Sequence, residues 1–149
     1  MGTVNERKIN DIFVRTTIDL CANGDSDAKN YLLSIGYVSR VFDDLIDKDH
    51  PVADEQICRA FFILLAELWL NPFFVKNSQL LIPLHIASYN SFVDSNTWSK
   101  SDDRLKQIYA HVMKDFANEI LGTVAFLTGG FCAMEKASIM VKELFIEGI

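Results

Sequence analysis

The chain has 149 residues, of which 50% are hydrophobic and eleven are Phe, and it carries a formal net charge of −6. That length can bury a core without metal or disulfide staples, and so apolar a composition excludes a disordered chain. The acidic balance excludes a nucleic-acid backbone as partner, because phosphate contacts need clustered Lys and Arg.

Cys21, Cys58 and Cys132 are odd in number and lack metal-ligand spacing, so they read as buried, reduced thiols. With no apolar signal core in residues 1–6, they point to a cytoplasmic localisation. The apolar tracts 60–75 and 120–134 are interrupted by Glu67, Asn71 and Pro72 or by glycines. Both fall short of the roughly 18–20 residues a bilayer span needs, which gives an expectation of core helices and no membrane span.

The spacing predicts a first helix over 5–22, with Ile9, Ile12, Phe13, Thr16 and Leu20 on one stripe and Gly24 as its stop. Asp25 or Ser26 should cap a second helix over 27–48, with Tyr31, Ile35, Val38, Val41, Phe42, Leu45 and Ile46 as its apolar side. Pro51 ends it. A third helix over 53–70 is apolar nearly all round and should therefore be central. Asn71-Pro72 breaks it, and Phe73-Phe74 should cap the core beyond.

A fourth helix over 78–93 begins or bends at Pro83, and the polar stretch 94–101, with Trp98, reads as a loop. A fifth helix, capped by Ser99 or Ser101 and reaching 128, should bury Leu105, Tyr109, Val112, Met113, Phe116, Ile120, Val124 and Leu127. Gly129-Gly130 ends it, and a last helix over 132–146 alternates Met134, Ile139, Val141, Leu144 and Phe145 with charged residues. No strand-period segment or linker stands out, so residues 1–149 should form a single domain, a compact all-α bundle of about six helices.

One local conflict suggests chemistry. Asp43, Asp44 and Asp47 share an arc of about 100° at the end of the second helix, with Arg40 near it. Like charges at i and i+4 repel, and carboxylates at a helix C-terminus oppose the macrodipole. Such a face suits a hard divalent cation, Mg²⁺ above all, which takes oxygen ligands and keeps waters for an incoming phosphate. On the fifth helix His111, Asp115 and Glu119 recur at i, i+4 and i+8, with Asn118 beside them. If the two helices face each other, their acidic rows would bracket a metal. The same residues also read as solvated faces, the first balanced by Arg40 and Lys48. Glu67 interrupts the most apolar helix and needs a partner, for which Arg15, Arg40, Arg59 and His85 are candidates.

Asp43-Asp44-Leu45-Ile46-Asp47 resembles the Asp-Asp-x-x-Asp motif of isoprenyl diphosphate and terpene synthases, and His111, Asp115 and Glu119 share the spacing of that family's second metal motif. The resemblance implies a terpenoid-synthase-like arrangement of helices, Mg²⁺, and binding or hydrolysis of a diphosphate-containing small molecule. A second resemblance covers more of the chain. The order of residues 42–52, Ala60-Phe61 to Glu67, Asn71-Pro72-Phe73 and Pro83 to Asn90 is similar to small bacteriophage-encoded helical proteins. It implies work in a host cytoplasm, and it places the Asp cluster, Glu67 and Asn71 in one pattern. The alternative to a metal site is a non-catalytic accessory or assembly protein, a homo-oligomer or a contact for a phage or host protein. That alternative expects an exposed Phe/Trp patch.

Overall fold

The structure, a computed structural model, describes the backbone of residues 14–147 and the side chains of 14–144. Ile9, Ile12, Phe13 and Phe145, named above as parts of apolar stripes, lie outside the described side chains. The protein is all-α, with no strand among the described residues. Its described helices group into two compact units, residues 24–78 and residues 14–23 with 79–147.

In the unit of residues 24–78, helix α2 (Ser26–Asp47) starts at Asp25, whose carboxylate accepts from the N–H groups of Asp27 and Ala28. It ends at Lys48, whose left-handed backbone (φ 58°) turns its N–H onto the Asp44 carbonyl. Helix α3 (Asp54–Phe62) runs through a π turn (Ile63–Glu67) into the short α4 (Leu68–Leu70). The core of this unit is Ala28, Tyr31, Leu32, Val41, Ala60, Ile63, Leu68, Phe73 and Phe74. Tyr31 stacks on Phe74 with ring centroids 5.8 Å apart, and Trp69 meets the same Phe74 edge-on at 5.3 Å.

Two expectations fail in this unit. The stretch predicted to be central exposes most of its large apolar side chains, and Leu45 and Ile46 of α2 are exposed as well. Asn71-Pro72 is not only a break but also a helix start. Asn71 turns extended (ψ 117°), its side-chain oxygen accepts from Phe74 N–H at 2.9 Å, and its amide donates to Asp27 O at 2.9 Å. Pro72 then occupies the first helical position, where its missing N–H costs nothing. Helix α5 (Pro72–Trp98) continues through Pro83 into the stretch predicted as loop.

The other unit holds α1 (residues 14–22), the rest of α5, α6 (Arg104–Lys114), a 3-10 turn (Asp115–Asn118) and α7 (Glu119–Glu147). On α1 the buried residues are Thr17, Ile18, Cys21 and Ala22, while Thr16 and Leu20 face solvent. The buried stripe is thus displaced by about one residue from the predicted one. Asp103, not a serine, caps α6 by accepting from Leu105 N–H.

The predicted break at Gly129-Gly130 corresponds to a sharp fold-back in α7. Gly130 has φ 79° and ψ −169°, a conformation that L side chains avoid. Glu119 and Lys142 would stand about 35 Å apart in an unbroken helix. Their side chains meet at 3.1 Å, so segments 119–129 and 131–147 run back along each other. Ile120, Val124 and Ala125 from the first segment and Ala137 and Val141 from the second are buried. Thr128 Oγ1 donates to the Cys21 carbonyl at 2.8 Å, and Asn23 Nδ2 donates to Thr128 O at 3.3 Å, tying α1 to the first segment. By length and composition alone, residues 104–144 are apolar enough to cross a membrane, with a mean hydropathy of 1.4 over their most apolar window. The fold-back leaves 131–147 as the longer straight piece of α7, about 25 Å at 1.5 Å per residue.

His85 is half-buried on α5, and burial lowers its pKa below the usual 6.5. The unfolded chain therefore binds a proton that the folded chain refuses. Stability from this site is complete above about pH 6.5 and falls as the pH drops towards the folded-state pKa. Chemical denaturation between pH 7.5 and 5.5 should show that slope in the wild type and a flatter one in His85→Gln; equal slopes would refute it.

Candidate functional site

The predicted acidic face sits where the sequence places it, at the last turns of α2, with Asp43 and Asp44 half-buried and Asp47 exposed. The chain turns back after Lys48, and His50 Nδ1 comes within 3.2 Å of Asp44 Oδ1. Asp44, Leu45, Lys48, His50, Pro51 and Val52 line an open concavity of about 410 Å³. Arg40 is exposed on the same helix.

The proposed counterpart row lies in the other unit and its members are engaged locally. Asp115 Oδ1 accepts from Asn118 Nδ2 at 2.6 Å, and Glu119 pairs with Lys142. The 3-10 turn interrupts the α-helical register that the i, i+4, i+8 reading assumed for His111, Asp115 and Glu119. His111 is exposed on α6. Among the described residues, no three or more His, Cys, Asp or Glu side chains gather as a metal would require. Asp44, Asp115 and Glu119 are engaged by His50, Asn118 and Lys142.

Glu67 finds Arg59, one of the partners considered from the sequence, at 2.5 Å between Oε1 and Nη1. The spacing of eight residues would leave the two about 80° apart around a regular helix. The π turn between them inserts one residue and swings Glu67 towards the line of Arg59. The hydrogen bond to Glu67 raises the pKa of Arg59. The pair is about 36–48% exposed, so it orients side chains more than it stabilises the fold. It faces an open groove of about 580 Å³ that α2 lines with Asp27, Asn30, Ser34 and Tyr37. These four recur at i, i+3, i+7 and i+10, a polar stripe that is visible in the sequence but was not singled out. Asn71 also borders the groove, with both ends of its amide used in structure.

The rest of the same run is apolar and open, and its Leu70 also borders the groove. Phe61, Phe62, Leu65, Trp69 and Leu70 are exposed at 61, 56, 76, 54 and 80%. With the extra residue of the π turn, Phe61, Leu65 and Trp69 fall on one line, and Phe62 and Leu70 on the next. Trp69 is braced from beneath by Phe74. The cysteines separate by environment. Burial pushes the Cys21 thiol up to about 11, whereas Cys58 and Cys132 are exposed, contrary to the expectation that all are buried. Comparison with protein-family models, with curated proteins and with solved structures returns no match.

Proposed function

We propose that this chain is a non-catalytic helical assembly protein, of the phage-encoded kind its sequence resembles, and that it self-associates through the α3–α4 face. The observation that carries this reading is the exposure of Phe61, Phe62, Leu65, Trp69 and Leu70 along a single helical run. At those exposures, the five side chains present on the order of 700 Å² of surface, close to the ~800 Å² per partner of a stable interface. Leaving that area in water forgoes a large hydrophobic contribution, which a second copy recovers. Trp69, held edge-on against Phe74, is a pre-ordered aromatic anchor for such a contact. The α3–α4 run carries few charges, and Arg59 and Glu67 pair with each other, so two copies meet there without opposing like charges. The host cytoplasm is the compartment this reading assigns. Its test is the mass of the wild-type chain in solution: a dimer or larger species supports it, and a monomer at every concentration opposes it.

The second reading, a terpenoid-synthase-like chain using Mg²⁺ to bind or hydrolyse a diphosphate, rests on Asp43, Asp44 and Asp47 alone. Calorimetric titration with Mg²⁺, with and without pyrophosphate, tests it. Heat that is lost in Asp43→Ala/Asp47→Ala would support the metal reading; no heat, or heat unchanged in that variant, disposes of it.

A further inference from the structure

We infer that α6 is a second docking surface, and that it takes the acidic end of α2 in another copy of the chain. It goes beyond the α3–α4 face because different elements carry it. The sequence of α6, RLKQIYAHVMK, has Arg104, Lys106, His111 and Lys114 and no acidic residue, in a chain whose net charge is −6. Leu105, Ile108, Tyr109 and Val112 are exposed at 76, 53, 60 and 59%. Their i, i+3, i+4, i+7 spacing puts them in an arc of about 100°. The helix packs by another side, where Ala110 is buried and Lys114 Nζ lies 5.8 Å from the Phe92 ring. The apolar stripe that the sequence assigned to the core is therefore not what holds α6 in its own unit.

Cations border the stripe on both edges, Arg104 on one and Lys106 on the other. Lys106 Nζ lies 6.0 Å from the Trp98 ring, and Trp98 lies 6.0 Å from Tyr109, which widens the apolar surface. Two α6 helices face to face would oppose cation with cation, so the complementary partner is acidic. The last turns of α2 supply that chemistry. Leu45 and Ile46 are exposed at 40 and 48% beside Asp43, Asp44, Asp47 and Asp49, next to the concavity of about 410 Å³. Cationic rim meets carboxylates, and apolar stripe meets Leu45 and Ile46. The two surfaces are unlike, so each contact needs an α6 from one copy and an α2 end from the other.

The test uses the full chain carrying Leu65→Glu, which disables the α3–α4 face, in sedimentation velocity at low salt. Two charge reversals are added separately, Arg104→Glu/Lys106→Glu and Asp47→Lys/Asp49→Lys, all at exposed positions. Circular dichroism confirms that each variant folds. The parent should associate with concentration and weaken roughly tenfold or more on raising salt. Each reversal alone should be monomeric, and mixing the two should restore a 1:1 dimer, since one intact α6 then meets one intact α2 end. A monomeric parent, reversals that associate like the parent, or a mixture that stays monomeric would each overturn the inference. So would binding of the parent to phosphatidylserine vesicles without self-association, which assigns the stripe to a membrane surface. None of these outcomes touches the α3–α4 face, which the Leu65→Glu change isolates.

Discussion

Leu65→Glu is expected to dissociate the assembly formed by the α3–α4 face while leaving the monomer folded. Leu65 is 76% exposed, so the substitution removes almost nothing from the core of its own chain, and surface changes of that kind stay within about 0.5 kcal/mol. In the assembly the same glutamate would be an uncompensated charge in an apolar interface, which costs about 3–5 kcal/mol. That corresponds to a loss of roughly a hundredfold or more in affinity. The experiment belongs at roughly 0.5 M salt, where charge-steered contacts such as that of α6 are screened and an apolar contact persists. Trp69→Ala removes the anchor braced by Phe74 and should cost about 2 kcal/mol or more of association. Unchanged association in both variants would place the contact elsewhere.

Gly130→Ala is expected to destabilise the chain by about 1–3 kcal/mol, because an L side chain must be forced into the φ 79°, ψ −169° conformation that lets α7 fold back. Nothing lies within 4 Å of a Cβ at Gly130, so the cost is conformational and not steric. Gly129 differs: a Cβ there would stand 2.6 Å from Ala133 Cβ and 2.7 Å from Asn23 Nδ2. Gly129→Ala should therefore destabilise by crowding, again by about 1–3 kcal/mol. Urea denaturation followed by circular dichroism measures both. A Gly130→Ala midpoint equal to the wild type's would mean that the fold-back does not depend on the left-handed residue.

Local signals were the most legible. Asp25 as a cap, the start of α2 and the break at Gly129-Gly130 all follow from single residues whose side chains or conformational freedom act within a turn. Asn71-Pro72 was read as a stop only, because Pro83 further on looked like a second boundary. The structure shows that an Asn cap with Pro at the first position is also a start, and that α5 tolerates Pro83 in its interior. The capping residue of α6 was missed because Ser99, Ser101 and Asp103 compete within one short stretch, and Asp103 is the one that reaches Leu105 N–H.

Burial was the least legible property. Helical periodicity identifies residues that share a face, but it does not say what that face meets. Leu105, Tyr109 and Val112 share a stripe with Ile120 and Val124, yet the first three are exposed and the last two buried. The 3-10 turn at Asp115–Asn118 separates the two groups and breaks the continuity that the pattern assumed. Likewise the Arg59–Glu67 pair depends on a π turn that no residue type announces. The acidic face of α2 was visible from spacing, whereas the local pairing of Asp44 with His50 depends on the turn after Lys48.

Exposed Phe61, Phe62, Leu65, Trp69 and Leu70 are the proposed interface between copies of this chain. Multi-angle light scattering of the wild type and of Leu65→Glu side by side at high salt tests it most directly. The wild type should have a mass of at least twice 16.9 kDa, and Leu65→Glu should be a folded monomer. A wild type that stays monomeric, or a Leu65→Glu variant of the same mass as the wild type, would contradict it.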